Sequence, residues 1–162
     1  MIKAMKNTVE LGILSLQLSK ESKQYLRDMY PAKYPDWYGD HVTLVYGAPK
    51  EATEYYAGKL AIASIFAYAS NDRIEAVRVS THGLPDTYGT PHITLSAKEG
   101  VAPFESVAML KSDHDERPLE AEVDLSGTIE FIPFTSEELA EFMQGSQRSA
   151  LFYFSENTSV QG

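Results

Sequence analysis

Leu14, Leu16 and Leu18 alternate with Ser15 and Gln17, the period of a strand with one face buried. Ser19 follows with an oxygen able to cap a helix over Lys20 to Met29, which Pro31 closes. Tyr30 to Asp40 is rich in Pro, Tyr, Trp and Gly and reads as a structured loop feeding a strand over His41 to Tyr46. A short helix after Pro49 runs through Tyr55 and Tyr56 and ends at Gly58. The alanines of Leu60 to Ala69 favour helix. The β-branched run Ile74 to Ser80, beyond Ser70-Asn71-Asp72, favours a hairpin instead, and the hairpin is the reading adopted.

Thr81 to Pro91 holds glycines at 83 and 89 and prolines at 85 and 91, a loop leading into a strand over His92 to Ser96. A helix runs from about Pro103 to Leu110. Leu119, Ala121, Val123 and Leu125 then alternate with polar residues, Ser126-Gly127 signals a two-residue turn, and Thr128 to Phe134 returns as the partner strand. Thr135 and Glu138 fit a capping box that opens a helix through Leu139, Phe142 and Met143 to Gly145. Residues 146–162 read as a partly ordered tail in which Leu151-Phe152-Tyr153-Phe154 docks as a last strand. Interspersed strands and helices with hairpins make the class α+β with a largely antiparallel sheet, in one domain over 1–145.

Composition supports a single core: 162 residues, 43% hydrophobic and 23% charged, are those of one globular domain. The net charge of −9 excludes a grip on long nucleic acid, duplex included, through many phosphate contacts, which needs surplus Lys and Arg. A small anion held by a few oriented donors stays compatible with it. Zero cysteines exclude disulfides, thiolate metal sites and a cysteine nucleophile. No stretch has the pattern of a secretion signal or the length of a membrane span, so a cytoplasmic protein with no membrane partner, acting as a monomer, is expected.

The chemistry concentrates in His41-Val42-Thr43-Leu44 and His92-Ile93-Thr94-Leu95. Strict alternation places His41, Thr43 and Val45 on one strand face, with Val42, Leu44 and Tyr46 on the other. It likewise groups His92, Thr94 and Ser96 opposite Ile93 and Leu95. Each strand thus presents an imidazole beside a hydroxyl above an apolar anchoring face. Breaking a P–O bond requires taking a proton from the attacking oxygen and giving one to the leaving oxygen, and imidazole does either near neutrality. The hydroxyls of Thr43 and Thr94 suit the non-bridging oxygens, where charge is held in the transition state. One His-x-Thr in a strand is more often structural than catalytic; two matching copies among four histidines make a specific signal.

In these two motifs the chain resembles the two-histidine phosphoesterase superfamily, and the resemblance spans Leu14 to about Phe134. It implies a bilobal fold in which two largely antiparallel sheets form a central groove with helices outside. It also implies a metal-independent reaction without cofactor, His41 and His92 as acid and base, and Thr43 and Thr94 as phosphate anchors. The substrates it implies are small nucleotides or RNA ends, namely 2′,3′-cyclic phosphates, 2′-5′-linked oligoadenylates or cyclic oligonucleotide signals. Which histidine is the base stays open, as does a binding module of the same fold that holds a nucleotide without cutting it. Trp37, Tyr38 and Tyr88 lie just before the motif strands, where they either stack on a base or pack beneath a loop. His82 and His114 lack the following threonine and receive no role, and Asp113-His114-Asp115-Glu116 reads as a solvated loop rather than a metal site.

Overall fold

The computed structural model describes residues 9–87 and 89–144. Its elements are β1 (Leu11–Leu18), α1 (Lys20–Met29), β2 (Asp36–Trp37), β3 (His41–Pro49), α2 (Lys50–Thr53), β4 (Leu60–Ser70), β5 (Ile74–Ser80), β6 (His92–Ala97), α3 (Glu105–Leu110), β7 (Asp115–Pro133) and α4 (Ser136–Gln144). The class is α+β, as the alternating patterns require. The seven strands pair antiparallel in one sheet of order β2-β6-β5-β4-β7-β1-β3, where the sequence reading expected two sheets.

β2 and β3 are consecutive in the chain yet stand at opposite ends of that order. In a flat sheet β3 and β6 would be five strand spacings apart, about 24 Å at ~4.8 Å each. Instead the residues leading into β3 bond directly to β6: Tyr38 N–H donates to the Leu95 carbonyl at 2.7 Å and Gly39 N–H to that of Thr94 at 2.8 Å. The sheet is therefore curled back on itself. Its apolar face supplies Leu14, Leu16, Val42, Leu44, Ile65, Val77, Ile93, Leu95 and Ile129 to one core, which Leu26 of α1 joins. Burying each such aliphatic side chain contributes about 1.5–3 kcal/mol, which makes this core the main force holding the curl. A second cluster docks α3, through Met109 and Leu110, against Ala69, Ile74, Ala76 and Ala97 on the sheet's other face. The small alanines let the helix approach closely.

The helix-capping expectations hold. Ser19 Oγ accepts from Ser22 N–H at 3.2 Å, and the Thr135 and Glu138 pair closes reciprocally at 2.8 and 3.1 Å. The helix after Pro49 is shorter than expected, ending at Thr53 before turns that reach Gly58. The hairpin at Ser126-Gly127 is not formed: β7 runs through both residues without a break. Gly127 pairs with Leu18 on one side and Ala61 on the other, and a Cβ there would lie 2.4 Å from the Gln17 carbonyl oxygen. Glycine serves close approach of β1 rather than a turn. The expected tail strand at Leu151 to Phe154 lies outside the described residues. Among those described, no helix is long and apolar enough to cross a membrane.

Candidate functional site

Residues paired across an antiparallel ladder share a sheet face, so the register shows where each motif points. In the β1–β3 pair, Ser15 faces Thr43 and Leu14 faces Val45, which leaves Leu44 as an extra residue. In the β5–β6 pair, Ala76 faces Thr94 and Glu75 faces Ser96, which leaves Leu95 as the extra one. Both bulges fall on the fourth residue of the motif. Beyond a bulge the alternation of faces is reversed, and strict alternation therefore misplaced three residues. Val45 turns into the core, Tyr46 joins the face of His41 and Thr43, and Ser96 leaves that of His92 and Thr94 to donate to Glu75.

The bulged leucines supply carbonyls that the ladder does not use. The Leu95 carbonyl accepts from Tyr38, in the segment leading into the first motif; the Leu44 carbonyl accepts from Thr87 N–H at 3.1 Å, in the loop leading into the second. Each half is thus tied to the entry of the other. The β2–β6 register, Asp36 with Ala97 and Trp37 with Ser96, continues through the Tyr38 and Gly39 bonds. That segment brings β3, which begins at His41, into contact with β6, which begins at His92. Consistent with that placement, a positive His41 opposes protonation of His92. Ladder partners traced through Gln17, Thr128, β4 and Arg78 put both rings on the same sheet face, the one against which α3 packs.

The two histidines have different surroundings. His41 keeps 40% of its side chain exposed, and its Nδ1 lies 2.6 Å from Asp40 Oδ1. That hydrogen bond holds the Asp40 carboxyl below its ordinary range, so Asp40 is an anion against Nδ1 and Nε2 faces away from it. His92 is only 8% exposed. Its Nδ1–H donates to the Thr90 carbonyl at 2.7 Å, and Nε2 lies 2.7 Å from Ser106 Oγ. Burial pushes the His92 pKa down; the Thr90 bond opposes this and the charge of His41 adds to it. One ring is backed by a carboxylate and the other is kept neutral.

Thr43 is half-buried, and among the described residues nothing bonds its hydroxyl. Thr94 Oγ1 lies 2.8 Å from Ser106 Oγ and 3.3 Å from the Pro103 carbonyl. Trp37 packs on the main core with the Arg27 guanidinium 5.2 Å above its ring, while Tyr38 packs against the α3 cluster. Trp37, partly buried and paired with Ser96, and Tyr38, bonded to Leu95, both lie along the strand of the second motif. Tyr88 lies outside the described residues. His82 Nε2 is 2.8 Å from Ser64 Oγ, which donates to Asp124 at 2.5 Å, anchoring the start of the loop that crosses to β3.

Three neighbours were not singled out by sequence reasoning. Asp40 was adjacent to the motif and open to notice. Arg78 faces His92 across the ladder, its guanidinium held 3.1 Å from Glu116, which also binds His114 at 2.7 Å. Ser106 comes from α3, and nothing in its local sequence distinguishes it from any helical serine. The arrangement offers a proton donor and a proton acceptor on one face with hydroxyls beside each. Comparison of the chain with protein-family models gives no match, and comparison with curated proteins gives none either.

Proposed function

We propose that this chain is a metal-independent phosphodiesterase acting on a small nucleotide, with His41 and His92 as the acid and base pair. The observation that carries the reading is the asymmetry of two histidines on one sheet face. His92, neutral through burial, takes the proton of the attacking oxygen; His41, its Nδ1 compensated by Asp40, gives one to the leaving oxygen. Thr43 and Thr94 then hold the phosphoryl oxygens. Strands β3-β1-β7 and β6-β5-β4 each carry one motif with a bulge at its fourth residue, which supports reading the curled sheet as two lobes around a groove. A net charge of −9 favours a short or cyclic nucleotide over long RNA.

The low exposure of His92 favours one other reading, a module that sequesters the nucleotide intact. Incubation with 2′,3′-cyclic nucleotides, 2′-5′ oligoadenylate and cyclic di- and trinucleotides, with chelator present and products separated by chromatography, decides between them. Cleavage of at least one substrate is expected, with kcat lowered about 10²–10⁴-fold in His41→Ala and in His92→Ala. Undiminished cleavage by both variants overturns the proposal, and stoichiometric capture of unchanged ligand selects the sequestering module.

A further inference from the structure

We infer that Ser106 is the positioning residue through which the buried His92 receives a proton, by way of Thr94, from the water that attacks a phosphate ester, an inference that rests on the phosphodiesterase reading. Nδ1 of His92 is committed to the Thr90 carbonyl, so Nε2 is its one basic atom, and Ser106 Oγ lies on it at 2.7 Å. Ser106 is itself fully buried, on the face of α3 that also carries Met109 and Leu110, and Arg73 pins the start of that helix through Glu105 at 3.1 and 3.2 Å. Neither Nε2 nor Ser106 is open to a ligand. Thr94, 2.8 Å further along, is only half-buried.

Hydrogen accounting gives the chain two states. With His92 neutral, Ser106 O–H donates to Nε2 and Thr94 O–H donates to Ser106 Oγ, leaving lone pairs of Thr94 Oγ1 for the attacking water. As the new O–P bond forms, a water proton passes to Thr94, the Thr94 proton to Ser106 and the Ser106 proton to Nε2. Each hydroxyl gains one hydrogen and loses one, His92 ends as imidazolium, and the leaving oxygen departs with the proton of His41. In the charged state Nε2–H donates to Ser106 Oγ, whose own hydrogen turns to the Pro103 carbonyl at 2.9 Å. The hydroxyl hydrogen of Thr94 is then released to a phosphoryl oxygen. That contact is made as charge develops on phosphorus, not before, which is the kind of interaction that raises kcat rather than lowering KM.

The test compares wild type, Ser106→Ala and Ser106→Thr. On the substrate that wild type cleaves, Ser106→Ala should lose about a hundredfold in kcat with KM nearly unchanged, and the multi-proton solvent isotope effect should fall to that of a single proton. Ser106→Thr, which keeps the hydroxyl, should recover most of the rate. Wild-type kcat in Ser106→Ala refutes the inference. A second measurement needs no substrate: the ¹⁵N shift of His92 Nε2 should report an accepted hydrogen bond in wild type and move in Ser106→Ala. An unmoved shift refutes the inference even in a chain that cleaves nothing, whereas a moved shift without cleavage retains the bond and rejects the phosphodiesterase reading. If Ser106→Ala does not fold, the shift and rate are read in Ser106→Thr, where loss of both overturns the relay.

Discussion

Removing the carboxylate of Glu75 should unfasten the loop that delivers His41. Glu75 is 2% exposed and accepts three hydrogen bonds: from Tyr68 O–H at 2.6 Å on one oxygen, and from Ser96 O–H at 2.5 Å and Lys33 N–H at 2.9 Å on the other. Ser96 Oγ in turn accepts from Tyr34 N–H at 3.1 Å, and Tyr34 O–H donates to the Asn71 carbonyl at 2.6 Å. Glu75→Ala leaves those three donors without their acceptor, each worth about 1–3 kcal/mol when buried and unpaired. The two hydroxyls can rotate toward water admitted to the vacated space, which reduces the total to about 3–5 kcal/mol.

Glu75→Gln keeps an acceptor for Ser96 and Lys33 and presents its amide N–H to Tyr68. Burial, and then the contact with Glu75, pushes the Tyr68 pKa well up, so this hydroxyl stays protonated and can accept instead of donate. The expected cost of the glutamine is about 1 kcal/mol. Urea unfolding gives both values from the midpoint at constant m. Amide exchange at Tyr38 and Gly39 should quicken in the alanine variant and not in the glutamine one, because the anchored loop lays these residues along β6. Equal stabilities for the two variants would refute the claim that a buried acceptor, rather than side-chain volume, secures this segment.

Two more outcomes follow from the structure. Gly47 has φ 83° and an added Cβ would lie 2.3 Å from the buried Phe142 ring, so Gly47→Ala should cost about 2–4 kcal/mol from the left-handed backbone and overpacking together; an unchanged Tm contradicts this. The depressed pKa of His92 makes its neutral form part of the fold, so its contribution is full above the ordinary value of 6.5 and is lost as pH falls toward the folded value. His114, raised by its bond to Glu116, acts with the opposite sign, its contribution complete below 6.5 and lost as pH rises through the folded value. Comparing wild type with His92→Asn by urea unfolding across pH 5–8 isolates the first effect, and parallel stability curves would disprove it.

What the sequence disclosed and what it hid follow from the range of the forces involved. Ser19, Thr135 and Glu138 act within one helical turn, and the alternation of Leu14 to Leu18 reports burial directly, so these elements were legible. The pair His41 and His92 was legible because both copies repeat one local pattern. The bulges were not, since Leu44 and Leu95 look like ordinary core leucines and their extra position is set by the partner strand. Gly127 misled for a similar reason: the close approach of Gln17 that requires a glycine comes from more than a hundred positions earlier in the chain. Ser106 reaches His92 only because α3 packs on three alanines from three different strands.

The reciprocal bonds at Leu44 and Leu95 are made between peptide groups: a carbonyl on one side, the N–H of Thr87 or Tyr38 on the other. Any residue except proline can supply such a donor, so the bonds that close the sheet place almost no demand on side-chain identity. Away from anchors such as Tyr34 and Gly39, substitutions can accumulate in both entry loops while the closure, and with it the nearness of β3 to β6, persists. What such a design has to keep is a backbone path with a bulge at each motif, and much of that path leaves little trace in the letters of the chain.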